Sequence, residues 1–195
     1  MNFKTTFKLF NRMFLLRIGY FNFNQTVTTK GLYDLCADGV YRILFLEYDM
    51  IKMSYDMLMA QLKSIQEMYQ LSDFYIFESS KDSYHVICFD MLTTCEINDI
   101  LKMTSCDDAF KNNWRFDYVP RVLRITKKGN KAPPKYIETM NSKNNHHKKS
   151  LGHITAYESL LNFEVTNKSN VVRTGIWGIQ YTTKHNIDEG KINDK

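Results

Sequence analysis

The sequence predicts an α+β fold: a split-βαβ, ferredoxin- or RRM-like topology with a four-stranded antiparallel sheet and two helices. Three observations predict it. Strand-length segments recur at Ile43–Leu46 (extended by Tyr48), Phe74–Phe77, Tyr84–Phe89 and Arg121–Thr126. Helical periodicity fills the gaps between the first and second, and between the third and fourth. The resulting order, β-α-β-β-α-β, is that of the split-βαβ unit.

Each element has a local reason. Residues 1–30 alternate aromatic with basic or polar residues and fit either a strand pair or a helix followed by a strand. Gly31–Gly39 has the look of a connection. Ser54 is a natural N-cap for a helix to about Gln70, with Leu58, Leu62, Ile65 and Tyr69 on one face. Ser79–Ser83 is a polar turn. Thr93-Thr94-Cys95-Glu96 fits a capping box, opening a helix with Ile97, Ile100 and Leu101 on one side. Lys127-Lys128-Gly129-Asn130 ends the fourth strand in a turn, and Asn141–Ser150 is a polar loop or linker. Gly175-Ile176-Trp177-Gly178 suggests a C-terminal strand or a tight packing contact, and Thr183–Lys195 a frayed tail. The first core strand is apolar on both sides as far as Glu47. The second face of the sheet is therefore expected to be covered by residues 1–40 and part of 136–181.

A chain of 195 residues, 44% hydrophobic and 24% charged, has the composition of one domain with a real core. Cys36, Cys88, Cys95 and Cys106 show no CxxC spacing, which argues against a zinc ribbon or a disulfide framework. The apolar run Met13–Leu16 is too short for a secretory signal or a membrane span. A cytoplasmic or host-cell intracellular setting with no membrane partner is expected. The net charge of +5 is unevenly placed. Residues 1–110 carry 10 Lys/Arg against 14 Asp/Glu, residues 111–151 carry 11 against 2, and residues 152–195 carry 5 of each. The basic excess thus lies in one segment, the footprint of a phosphate-binding surface or of a solvated basic loop.

Glu47 and Asp49 stand at i and i+2 near the C-terminal end of the first core strand, so they share a face. Paired carboxylates are what hard Mg²⁺ and Mn²⁺ prefer, and without a cation they would repel each other. Ser83 and His85 repeat the i, i+2 geometry at the start of the third strand. In an antiparallel split-βαβ sheet that start lies beside the end of the first strand, next to the acids. Asp117 precedes the fourth strand and is either a salt-bridge partner for Arg115 or Arg121 or a third metal ligand. Arg124, Lys127, Lys128 and Lys131 follow, the equipment for holding a triphosphate.

These residues, in this order, resemble the archaeo-eukaryotic primase (primase-polymerase) superfamily. Leu44-Phe45-Leu46-Glu47-Tyr48-Asp49 is similar to its first motif, an apolar strand ending in acid-x-acid, with Glu47 in place of the usual first Asp. Ser83-Tyr84-His85 is similar to its small-x-His motif, and Phe116-Asp117 to its third. Arg121–Gly129 looks like the downstream basic segment. The resemblance spans roughly residues 41–135.

It implies a minimal catalytic module of a plasmid- or virus-type replication protein, one that makes or extends a primer by two-metal, template-directed nucleotidyl transfer. Glu47, Asp49 and Asp117 would hold Mg²⁺ or Mn²⁺. Ser83, His85, Arg124, Lys127 and Lys128 would contact the nucleoside triphosphate. Arg121, Lys131 and Lys135 would contact single-stranded DNA. A helicase or another replication protein is a further expected partner. The implied organisation is an accessory segment over 1–40, a catalytic core over 41–135, a basic loop and C-terminal segment over 136–182, and a tail over 183–195.

Two other readings use the same fold. A non-catalytic nucleic-acid-binding module would stack bases on aromatics of the first and third strands, where Phe45, Ile87 and Phe89 stand. A tyrosine-nicking replication initiator would need a His-x-His pair, whereas His146 and His147 are adjacent.

Overall fold

A computed structural model describes residues 2–9, 12–19, 26–49, 53–111, 120–128 and 130–185. The N-terminal region resolves the choice left open by its alternation in favour of strands. β1 (Asn2–Leu9) and β2 (Arg12–Gly19) form an antiparallel pair, and β3 (Thr26–Tyr33) follows. Gly31 therefore lies in a strand rather than in a connection. β4 (Arg42–Asp49), α1 (Tyr55–Met68), β5 (Phe74–Ser80), β6 (Ser83–Leu92) and α2 (Thr94–Met103) appear in the expected order. A one-turn helix, α3 (Asp108–Lys111), precedes β7 (Val122–Arg124). β8 (Lys135–Met140), β9 (Lys149–Ser150), α4 (Leu151–Leu161), β10 (Val171–Val172) and β11 (Ile179–His185) complete the chain.

The helix starts behave as their residues dictate. The Ser54 hydroxyl accepts from the Met57 amide at 3.3 Å. The Thr93 hydroxyl accepts from the Glu96 amide at 3.3 Å, and the Glu96 carboxylate returns the bond to the Thr93 amide at 2.7 Å, a complete capping box. The β5–β6 turn narrows to Lys81–Asp82, where Asp82 takes a φ of 54°, a conformation Asp tolerates better than most residues.

β4 and β5 both run antiparallel to β6, which lies between them. The β4-α1-β5 unit is thus a split βαβ. Beyond it the topology departs from expectation. β7 makes no ladder with β4; it joins β3 and β11 in a separate three-stranded sheet, in the order β11-β3-β7. The place beside β5 is taken by β8, and β9 and β10 extend the sheet from the far end of β6. The fold is therefore α+β and rich in antiparallel pairing, but among the described residues its larger sheet has six strands. A close approach explains why β7 stays with β3. A Cβ on Gly31 would sit 2.3 Å from Val122 Cγ1 and 2.7 Å from the Leu123 carbonyl, so only glycine lets the two backbones meet.

The pleat divides the larger sheet into two faces. Leu44, Leu46, Tyr48, Ile76, Val86 and Cys88 face the helices, where Tyr48 donates to the Gln61 side chain of α1 at 3.2 Å. Phe45, Tyr75, Phe77, Ile87 and Phe89 face the other way. There Tyr157 of α4 meets Phe45 and Phe89 edge-on, with ring centroids at 5.9 Å in both cases. Phe163 meets Phe77 at 5.0 Å and Tyr75 at 5.6 Å. Of the two segments expected to cover this face, the C-terminal one does so through Tyr157 and Phe163. Residues 183–185, expected to open a frayed tail, belong instead to β11; residues 186–195 lie outside the described residues.

Two buried polar clusters tie the sheets together. Arg42 Nη1 reaches both Asp34 carboxylate oxygens, at 3.0 and 3.2 Å, and its Nε donates to Thr94 at 3.2 Å. The Arg121 amide donates to Asp34 at 2.9 Å, and its guanidinium donates to Asn98 at 2.9 Å. Burial raises the Asp34 carboxyl above its ordinary value, and Arg42 and Arg121 act against that rise. The second cluster docks α4. His153 is fully buried between the Ser150 hydroxyl at 2.7 Å and the Tyr33 carbonyl at 3.0 Å.

Arg42→Ala takes the nearest cation from the buried Asp34 carboxylate, leaving only Arg121, and should cost about 3 kcal/mol, the low end for a broken buried pair, read as a lower urea midpoint. His153 supplies a pH signature. Burial lowers it to about 4 from an ordinary 6.5. Between those values the unfolded chain binds the extra proton. Its contribution is complete above about 6.5 and is lost as pH falls toward 4, by up to about 3 kcal/mol. Urea midpoints of His153→Gln should be flatter over that window than those of the wild type.

Candidate active site

The site grows from the end of β4. The strand is apolar through Leu46, so it is driven into the core, and it emerges at its last residues. Phe45, Glu47 and Asp49 share one face by strand periodicity. Phe45 is buried beneath Tyr157, Glu47 is half-buried and Asp49 is exposed. The acids therefore stand where α4 stops covering the sheet. The backbone is held there from outside the sheet, because the Asp107 amide donates to the Glu47 carbonyl at 2.8 Å.

The register of β6 on β4 sets Glu47 opposite His85 and Asp49 opposite Ser83. His85 Nε2 lies 3.7 Å from Glu47 Oε1, and Ser83 Oγ donates to Asp49 Oδ1. The four residues that the sequence placed together are brought together. His85 itself is only 3% exposed. Its imidazole contacts the Glu47 carboxylate from within the sheet rather than standing free in solvent.

Topology supplies the positive charge. β7 lies with β3, whereas β8 occupies the β5 edge of the large sheet, so residues 125–134 must cross from one to the other. Arg124 pins this crossing, with Nη1 donating to the Thr126 carbonyl at 3.2 Å and the Ala132 carbonyl at 2.6 Å. Lys128 and Lys131 exchange backbone hydrogen bonds, both at 3.0 Å, which tightens its middle into a turn. Arg124 Nη2 is buried with no hydrogen-bond partner among the described residues.

The electrostatics follow from this arch. Burial opposes ionisation of Glu47, but the His85 contact and the charges of Lys128 and Arg124 outweigh it, holding the carboxyl below its ordinary value. Burial lowers His85, Glu47 works against that, and Arg124 and Lys131 reinforce it. The imidazole is thus biased neutral beside an ionised carboxylate.

The remaining expected residues are distributed differently. Lys127 and Lys131 are exposed on the arch, and Lys135 is exposed at the start of β8, opposite Glu78. Arg121 does not join them: its side chain is 4% exposed and directed at Asp34 and Asn98, inside the protein. Its place on a nucleic-acid surface is corrected accordingly, because the Asp34 carboxylate draws it inward. Asp117 lies in residues 112–119, outside the described residues. Among the described residues, no group of three or more His, Cys, Asp and Glu could hold a metal ion. What is present is a pair of carboxylates with hard oxygen donors, one of them kept ionised. That suits Mg²⁺ or Mn²⁺, which are often held by one or two carboxylates with water and substrate phosphates completing the shell.

Sequence reasoning passed over two aromatic residues, Tyr136 and Phe163. Tyr136 continues the Glu47–His85 row on β8, in register with Phe77, and Phe163 stacks on it. Their signal was weak, one half-buried position in a short alternating strand and one residue after a helix. Compared with protein-family models, curated proteins and solved structures, the chain matches none.

The electrostatic coupling gives a direct measurement. By NMR titration, Glu47 should lose its charge below the ordinary value of 4.5. Arg124→Gln and Lys128→Gln should each move its midpoint upward. A midpoint unmoved by both changes would mean that the arch does not act on the acid.

Proposed function

We propose that this chain is a primase-polymerase-type nucleotidyltransferase that makes or extends a primer on a single-stranded DNA template. The observation that carries the reading is the β4–β6 register. It seats Glu47 beside His85 and Asp49 beside Ser83 at the uncovered end of the sheet, under an arch bearing Arg124, Lys128 and Lys131.

In this reading Glu47 and Asp49, with Asp117, hold Mg²⁺ or Mn²⁺. Two such ions would activate the attacking 3′-hydroxyl and stabilise the leaving pyrophosphate. The primer oxygen bonds to the α-phosphorus, the bond from that phosphorus to the pyrophosphate oxygen breaks, and the hydroxyl proton passes to solvent. His85 keeps Glu47 ionised and oriented, and Ser83 orients Asp49 through its hydrogen bond. Arg124 and Lys128, whose charges already act on Glu47, would neutralise the phosphates. Exposed Lys127, Lys131 and Lys135 favour the template backbone, an association that should weaken steeply with salt.

The binding-module reading has less support. Its stacking positions Phe45 and Phe89 are each 1% exposed and lie against Tyr157, so no base can reach them. No observation favours the nicking initiator; His147 Nε2 lies 3.4 Å from the Tyr69 carbonyl, turned toward the protein.

The test is primer synthesis and extension on single-stranded DNA with labelled nucleotides and Mg²⁺ or Mn²⁺. Asp49→Ala and Asp117→Ala should each reduce the rate about a hundredfold or more, as expected when several kcal/mol of charge stabilisation is removed. Activity that survives both substitutions would overturn the proposal.

A further inference from the structure

The sheet face bearing the acids continues as a row running away from them. Register aligns Glu47 with His85, His85 with Phe77, and Phe77 with Tyr136. Phe77 is wholly buried, whereas Tyr136 and Phe163 are each half-buried. The Tyr136 and Phe163 rings stack, with centroids 5.5 Å apart and planes inclined by 21°. Phe163 is braced edge-on by Phe77 at 5.0 Å, and the Tyr136 hydroxyl is tied to Thr139 Oγ1 at 2.8 Å. The result is a fixed, partly exposed pair of rings two strands from His85, or about 10 Å at ~4.8 Å per strand. At the other end of that span lie Arg124, Lys128 and Lys131.

We propose that the Tyr136–Phe163 pair is the ledge on which the base of a nucleoside triphosphate stacks while its phosphates lie against Arg124 and Lys128. The proposal rests on the nucleotide-handling reading of the acidic site and adds where the base goes. Three points carry it. A purely structural aromatic cluster would be sealed, as Tyr75, Phe77 and Phe89 are at 2%, 0% and 1% exposure, but these two rings are not. The rings are held before any ligand arrives, so little ordering remains to oppose stacking. Arg124 and Lys128 stand close enough to Glu47 to act on its carboxylate, so cationic charge lies at the near end of the same row. Stacking on a ring tolerates any base, because each base has a π-face. The ledge would therefore admit all four nucleotides, leaving selection to the template.

The experiment is calorimetric binding of ATP and of inorganic tripolyphosphate, each with Mg²⁺, to the full chain. The wild type should bind ATP more tightly than tripolyphosphate. Tyr136→Leu should weaken ATP about tenfold, within the range for losing one base–aromatic stack, and leave tripolyphosphate unchanged. Tyr136→Phe should retain ATP affinity. If Tyr136→Leu does not fold, Phe163→Leu is read in the same way. Unchanged ATP binding, or equal weakening of both ligands, overturns the ledge while leaving the acidic site as it stands. A wild type that binds neither ligand overturns both. ATP discrimination that depends on Tyr136, in a chain that makes no primer, upholds the ledge and removes the polymerase reading.

Discussion

The backbone ladder between β4 and β6 governs the molecule. Its register places Phe45 beside Ile87, Glu47 beside His85 and Asp49 beside Ser83, all on one face. A slip of one residue would turn every side chain of β4 over. Leu44, Leu46 and Tyr48 would leave the helices, and the two acids would enter the core. The buried cost of that exchange is what fixes the register. The same hydrophobic pattern that builds the core therefore also pairs each acid with its polar neighbour. Core and site are not separable choices here.

The rest of the site depends on where the strands after α2 go. If β7 had paired with β4, the cations would have followed it along that edge. Instead Gly31 lets β7 lie against β3, and β8 takes the opposite edge beside β5. The connection between them carries Lys128 and Lys131 toward Glu47 and His85, beside Arg124 at the end of β7. Asp34 stabilises this arrangement from beneath. It binds Arg42 at the start of β4 and the Arg121 amide just before β7, joining the two sheets through one buried carboxylate. Arg121 serves that joint, so its guanidinium is withdrawn from the basic surface.

Covering the second face also shapes the site. Tyr157 and Phe163 seal the sheet over Phe45, Tyr75, Phe77 and Phe89, and the seal ends at the row containing His85. Glu47 thus sits at a boundary between dry and wet surroundings. There a nearby cation acts more strongly on a carboxylate than it would in open solvent. Asp49, one pleat further out, is exposed.

The sequence by itself determined the local elements and the acidic pair. Ser54 and the Thr93–Glu96 box start their helices because capping is settled within four residues. The strands at β4, β5 and β6 are legible because apolar runs of that length have few other uses. The Glu47–His85 and Asp49–Ser83 pairings follow once β4 and β6 are taken as central neighbours. Only the tertiary structure decided the partner of β7, the six-stranded sheet, the inward turn of Arg121 and the exposed ring pair of Tyr136 and Phe163. Each of these depends on contacts between residues far apart in the chain, such as Gly31 with Leu123, Asp34 with Arg121 and Tyr136 with Phe163. Periodicity reports which way a residue faces on its own strand; it carries no information about which distant backbone will lie beside that strand.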